Sequence, residues 1–255
     1  MRVRVEKWSR PVSPTYFLCV KKLLPIDIWS DIACPWCYIG KRRLEAALAQ
    51  FPHRAEVEIT WRAFELDPAA PSVRDSRVSQ AERLAKKYGM SVSRAEAAIE
   101  NVTRVAAADG LEFHLEKTRS GNTFDAHRVL HLAHERGVQD AVKERLLRGY
   151  MTEGLAIGEH EALVGLGGEA GLDPEDVRAM LATTRYASEV RADEEHAARL
   201  GISGVPFFVM GGHYAVSGAQ PASILLGTLE RAWAEVDSQP SRDAEGAACG
   251  PEGCV

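Results

Sequence analysis

An α/β domain split by a large all-helical insertion is the fold class that this sequence predicts. Three observations carry it. The first is Cys34-Pro35-Trp36-Cys37, set between an apolar, strand-like run from Leu23 to Trp29 and a run with helical spacing through Leu44, Leu48 and Phe51. The second is the stretch 66–200, in which helix starts and stops recur and strand patterning does not. The third is the return of strand character in Phe207 to Met210 and Tyr214 to Ser217, followed by a helical run. With 255 residues, 45% hydrophobic and 26% charged, the chain is large enough to bury one substantial core plus an insertion without staples.

Residues 1–22 read as an N-terminal extension. Arg2, Arg4, Lys7 and Arg10 precede a short apolar run, Tyr16 to Val20, which Lys21 and Lys22 end. The run is shorter than a secretory apolar region and no small-residue cleavage site follows, so neither a signal peptide nor a membrane span is supported and the cytoplasm is expected. Cys19 in this segment reads as incidental.

The CxxC motif then sits at a strand-to-helix turn. Pro35 suits the first helical position, where its missing N–H has no intrahelical partner to lose, and the free N–H groups of that turn favour thiolate at Cys34. Val57 to Phe64 reads as a second strand, and Asp67, Pro68 and Pro71 break the chain. Ser93 with Glu96 reads as a capping box ahead of Ile99, Val102 and Val105, with Gly110 as the stop. Further helices are expected over Phe124 to Arg136, stopped by Gly137, around Val142, Leu146 and Tyr150, after the cap Asp173 with Pro174, and over Tyr186 to Leu200. Gly165-Leu166-Gly167-Gly168 lacks the Lys-Ser/Thr of a phosphate loop and reads as an inter-helix turn. Gly211-Gly212-His213 joins the last two strands as a hairpin, and Ala222 to Val236 closes the fold as a helix. The order places a thioredoxin-like domain at 23–65 and 201–236, a helical insertion domain at 66–200 and a tail at 237–255.

Two thiols separated by two residues form a self-contained redox couple: one attacks, the other resolves. Two other readings stay open, a pair of buried structural cysteines or half of a zinc site, although zinc usually takes four ligands at tighter spacing. Gly204-Val205-Pro206 opens the third strand. In thioredoxin-like folds this position holds a cis-proline whose loop lies against the CxxC, while a strand-opening proline is also an ordinary edge feature. The formal charge of −5 and the lack of a basic patch argue against a nucleic-acid or anionic-membrane surface. Five cysteines, clustered as they are, do not make a secreted disulfide framework. His127, His131 and His134 share a helical face; with no further ligand identified, they read as groove lining, and no metal is expected.

Ile26-Asp27-Ile28-Trp29-Ser30-Asp31 before Cys34-Pro35-Trp36-Cys37-Tyr38-Ile39-Gly40, then Asn122 to His127, Gly204 to Phe208 and Val216 to Gln220, resemble the FrnE group of DsbA-like oxidoreductases. The match covers about residues 24–236. The resemblance implies a DsbA-type fold and cytoplasmic dithiol–disulfide exchange with protein or small-molecule thiols and disulfides, in redox homeostasis or oxidative-stress tolerance. Cys34 and Cys37 are then the catalytic pair, and Pro35, Trp36, Val205 and Pro206 the substrate-binding surround. No external cofactor is required. Trp36 stands where DsbA has a histidine, so one positive charge near the thiolate is absent. A related branch, the 2-hydroxychromene-2-carboxylate isomerases and kappa glutathione transferases, typically has serine in place of Cys34 and provides the enzyme alternative. A zinc-binding or redox-regulated interaction protein is the non-enzyme alternative.

The tail 237–255 is rich in Ser, Gly, Ala, Pro and acidic groups, a composition that cannot build a core and predicts mobility. It ends in Cys249-Gly250-Pro251-Glu252-Gly253-Cys254, where Pro and Gly sit as a type I turn prefers, bringing the sulfurs together. The segment from Val236 to Cys249 stretches to about 45 Å at most, which reaches a site on the same domain. Some FrnE-like proteins carry such a second pair, so Cys249 and Cys254 are candidate auxiliary redox residues; an adventitious or metal-binding tail is the other reading.

Overall fold

A computed structural model describes residues 22–72, 78–119 and 121–238. Cys19, Cys249 and Cys254 lie outside the described residues. The sheet is built from β1 (Leu24–Ser30), β2 (Val57–Ala63), β3 (Phe207–Met210) and β4 (Tyr214–Ser217) in the order β2-β1-β3-β4. β1 pairs with β2 in parallel, from Leu24 opposite Val57 to Ser30 opposite Ala63, and antiparallel with β3, which forms a hairpin with β4. A parallel pair needs a crossover, and α1 (Pro35–Leu48) supplies it. Gly211 and Gly212 turn the hairpin at φ of 60° and 75°, a region that glycine enters without penalty.

Alternation along β1 separates the two faces. Leu24, Ile26 and Ile28 point to a core shared with Leu44 and Leu48 of α1 and with Leu225 and Leu229 of α9 (Ala222–Ser238). Trp29 points the other way, towards α8 (Ala187–Arg199), where its ring meets His196 edge-on at 5.1 Å and its Nε1 donates to the Asp193 carbonyl at 3.0 Å.

Between β2 and β3 run α2 (Gln80–Tyr88), α3 (Val92–Ala108), α4 (Phe124–Glu135), α5 (Gln139–Met151), α6 (His160–Glu169), α7 (Pro174–Leu181) and α8. Their core gathers Val129, Leu132, Val142, Leu146, Leu163 and Val177, and also takes in Ile32, Tyr38 and Ile39. The helix that carries the CxxC therefore belongs to both cores, Leu44 on the sheet side and Ile39 on the insertion side. The fold is the DsbA-like thioredoxin fold with its helical insertion.

Two local expectations need correction. The capping box is not at Ser93 and Glu96: Ser93 lies inside α3, whose cap is Ser91, accepting from Arg94 N at 3.3 Å, and the box is formed by Ser79 and Glu82 at the start of α2. Serines recur at 79, 91 and 93, and only chain geometry decides which one caps. Gly165 to Gly168 is not a turn but the interior of α6. Packing outweighs the poor helix propensity of glycine there: a Cβ on Gly167 would stand 3.3 Å from both Leu172 and Val177, and one on Gly168 3.0 Å from Pro174.

The insertion also closes the free edge of β2. Gln139 of α5 accepts from Trp61 N at 2.9 Å and donates to Trp61 O at 3.0 Å, and Asp193 accepts from Ala63 N at 3.0 Å. Side chains of two insertion helices thus satisfy backbone groups that an exposed edge would offer to another strand.

Candidate active site

Cys34 is the N-cap of α1, Pro35 opens the first turn and Cys37 N donates to Cys34 O at 3.0 Å. No acidic side chain lies in that turn, but the Asp31 carboxylate lies just ahead of it, accepting from Ala33 N at 3.3 Å. Cys34 retains 5% of its surface and Cys37 none, so only Cys34 can meet a partner from outside. Both are free thiols. Trp36, 38% exposed, stands beside Cys34 as an apolar surface.

The chain returning from the insertion completes the surround. The Val205–Pro206 peptide is cis, and the Cys34 thiol lies 3.6 Å from the Val205 carbonyl oxygen. Gly40 permits this approach: a Cβ there would lie 2.9 Å from Pro206 Cγ. The structure thus brings Cys34, Pro35, Trp36, Cys37, Val205 and Pro206 together.

Beneath the thiols lies a polar layer, of which the sequence reading took His127 as groove lining, gave Asp31 no role of its own and did not name Lys143. Asp31 is 1% exposed; its carboxylate accepts from Leu66 N at 2.8 Å and Ala33 N at 3.3 Å, and lies 3.6 Å from His127 Nε2. Burial works against its charge, but the contact and charge of His127 and the two backbone N–H groups outweigh it and hold the carboxyl below its ordinary range. Lys143 of α5 is fully buried, its Nζ 5.4 Å from the Trp61 ring centre and 3.5 Å from the Ser30 carbonyl. Its position was open to sequence reading: Gln139, Val142, Lys143, Leu146, Leu147 and Tyr150 form one buried stripe at helical spacing. A lysine within an apolar stripe is the signal.

The thiols titrate as a pair. Burial raises Cys37, yet the hydrogen bond with Cys34, the Lys143 charge, the Ser30 hydroxyl and the Asp31 backbone bring it below its ordinary value. Cys34 is raised well above its own by the hydrogen bond with Cys37, then by burial, the Cys37 charge and Asp31. The neighbouring groups thus push the two thiols in opposite directions, while access makes Cys34 the sulfur that a partner can reach.

The histidines do not line a groove together. His127 is buried against Asp31, His131 Nε2 is 3.0 Å from the Asp193 carboxylate, and His134 is exposed. A separate cleft of about 420 Å³, lined by Lys41, Leu44, Val57, Trp61 and Asp140, opens beside β2, and neither cysteine borders it.

A helix-capping CxxC facing a cis-proline loop, on a thioredoxin sheet interrupted by helices, defines a dithiol protein of the DsbA class. Residues 25–230 match the DSBA-like thioredoxin domain, and the chain belongs to that family. It is similar to the crystal structure of a probable DsbA oxidoreductase from Streptomyces coelicolor, with 47% identity, a TM-score of 0.80 and coverage of 91% of this chain and 98% of that one. It is 28% identical over 188 residues to the uncharacterized protein YwbO of Bacillus subtilis, covering 73% of this chain and 86% of YwbO. It shares the fold of a 2-hydroxychromene-2-carboxylate isomerase, at 15% identity and a TM-score of 0.60, over 85% of this chain and all of the other.

Proposed function

We propose that this protein is a cytoplasmic thiol–disulfide oxidoreductase or isomerase of the FrnE type, exchanging disulfides with protein substrates through Cys34 and Cys37. The observation that carries the reading is the difference in access between two adjacent sulfurs, one at the surface beside Trp36 and the Val205 carbonyl, the other sealed below. An extended substrate segment lying along Val205 and Pro206 would present its sulfur to Cys34.

In the reducing direction, Cys34 gives its proton to solvent and its sulfur attacks a substrate disulfide. One substrate sulfur leaves as thiolate and takes a proton from solvent. Cys37 then attacks Cys34 of the mixed disulfide, its proton passing to the departing sulfur, which forms the Cys34–Cys37 disulfide and releases the second substrate thiol. Two electrons have moved from enzyme to substrate. The oxidising direction is the reverse.

Among the described residues no helix is long and apolar enough to cross a membrane. The cytoplasmic placement is supported by the sparing use of cysteine and a role in redox homeostasis or oxidative-stress tolerance by the FrnE resemblance. Cys249 and Cys254 would serve as an auxiliary couple that exchanges with the central pair.

The isomerase fold likeness favours a second reading, glutathione-assisted isomerisation or transfer on a small molecule. Such chemistry leaves Cys37 without a task. Reduction of insulin disulfides by the purified protein, with glutathione-dependent isomerisation assayed in parallel, separates the two. Activity in the second assay alone would overturn the oxidoreductase reading.

A further inference from the structure

We propose that Asp31, held from the insertion by His127, is a positioning residue for the Cys34 sulfur: its carboxylate fixes the turn that presents Cys34, and its charge sets the pH at which Cys34 reacts. The proposal rests on the oxidoreductase reading and adds to it a buried pair that joins the insertion to the reacting sulfur.

The residues between β1 and α1 form a turn in which Cys34 N donates to Asp31 O at 3.3 Å. The Asp31 side chain locks that turn, because its Oδ1 accepts from Ala33 N at 3.3 Å, the short-range contact by which aspartate favours turns. Its Oδ2 accepts from Leu66 N at 2.8 Å, which ties the turn to the chain leaving β2. Three hydrogen bonds through one residue thus place Cys34. Its sulfur is 3.6 Å from the Val205 carbonyl oxygen, so a displaced turn would shift the nucleophile against the loop along which a substrate segment would lie.

His127 of α4 meets the carboxylate from the insertion side. It is 1% exposed, its Nε2 lies 3.6 Å from Asp31 Oδ1, and among the described residues neither ring nitrogen has a hydrogen-bond partner. A buried polar ring in that state calls for a reason. Asp31 supplies one, since a buried carboxylate needs an opposite charge beside it. The other charged and titratable groups acting on this pair are Cys34 of α1, Lys143 of α5 and, through His127, Glu65 just after β2. The carboxylate stands directly ahead of Cys34 in the chain, and an anion there disfavours a second one on the sulfur. After the Cys37 hydrogen bond, burial and the Cys37 charge, Asp31 is the remaining influence that raises Cys34. His127 offsets that repulsion.

The test is alkylation of the reduced full chain with iodoacetamide across pH, with the Cys34 and Cys37 peptides resolved by mass spectrometry. Asp31→Asn keeps the size of the side chain and removes its charge, and should move the Cys34 midpoint down by about one pH unit. His127→Gln should move it up, and the double variant should follow Asp31→Asn, because without the carboxylate there is no repulsion to offset. In insulin reduction, Asp31→Ala loses both side-chain bonds of the turn and should lower kcat about tenfold while KM holds, since the Trp36 and Val205 surround is unchanged. An Asp31→Asn midpoint equal to the parent's overturns the proposal, as does a His127→Gln shift of the same size in both backgrounds. If Asp31→Asn fails to fold, His127→Gln decides, and an unshifted midpoint there overturns it. An Asp31→Ala protein that changes KM and leaves kcat alone removes the positioning role. A parent that alkylates at Cys34 but exchanges with no protein disulfide sinks the oxidoreductase reading instead, while the midpoints still decide the part of Asp31 and His127.

Discussion

At the scale of single residues, access and charge divide the work of the two sulfurs. Cys34 is the one that can be reached, while Cys37 is sealed below it, burial working against its charge and the hydrogen bond with Cys34 and the Lys143 charge favouring it. Cys34→Ser should abolish insulin reduction, whereas Cys37→Ser should accumulate mixed disulfides between Cys34 and its partners, visible as adducts that reductant dissolves. Unchanged turnover in the Cys34 variant would remove it as the attacking group. Asp31 makes a prediction about pH. Its folded pKa is lowered, chiefly by His127 and two backbone N–H groups acting against burial, so the carboxylate contributes stability above its unfolded value of about 3.9 and loses it as pH falls through the lower folded one. Asp31→Asn should therefore flatten the acid limb of stability below about pH 4, measured as urea midpoints against pH. An unchanged slope would show that Asp31 is not the group titrating there.

At the scale of elements, α1 and α5 hold the site between them. Tyr38 of α1 donates to Glu144 of α5 at 2.6 Å, Arg42 pairs with the same carboxylate, and Lys41 bridges to Asp140 at 3.2 Å. α5 in turn grips β2 through Gln139. Gln139→Ala would leave the buried N–H and C=O of Trp61 unpaired and should cost about 1–3 kcal/mol, read from denaturant melting. A loss of only a few tenths would mean that water reaches that edge. Gly40→Ala tests the contact between α1 and the Pro206 loop, because the added methyl would need to displace Pro206 Cγ from 2.9 Å. Overpacking of this kind costs about 1–3 kcal/mol, and it should also slow exchange by moving the Val205 carbonyl relative to Cys34.

At the scale of the whole molecule, two cores meet along the helix that carries the CxxC, Leu44 on the sheet side and Ile39 on the insertion side. The same chain carries a second cysteine pair, Cys249 and Cys254, outside the described residues. If that pair exchanges with Cys34 and Cys37, deleting 246–255 should slow turnover of a bulky protein disulfide more than that of a small disulfide reagent. Linkage raises effective concentration to the order of mM, and the deletion removes that advantage. Equal turnover of both substrates before and after deletion would leave the central pair as the working couple.

The sequence by itself determined the elements whose signals are local: the strand before the CxxC, the helix after it, the hairpin glycines, the caps at Asp173 and Pro174, and the proline that opens the third strand. Each of these depends on neighbours a few residues away. It also singled out Cys34, Pro35, Trp36, Cys37, Val205 and Pro206 as candidates, because a CxxC at a helix start and a Val-Pro before a strand are readable where they stand. What only the tertiary structure decided is what lies behind the sulfurs. Lys143 is 113 residues from Ser30, His127 is 96 from Asp31, and Gln139 is 78 from Trp61. Nothing local specifies such pairs, since they form when α4 and α5 dock on β1, β2 and α1. The same long-range packing keeps glycines inside α6 against their propensity. It also sets His127 against Asp31 and Lys143 against Ser30, contacts just ahead of the CxxC that no local reading could place.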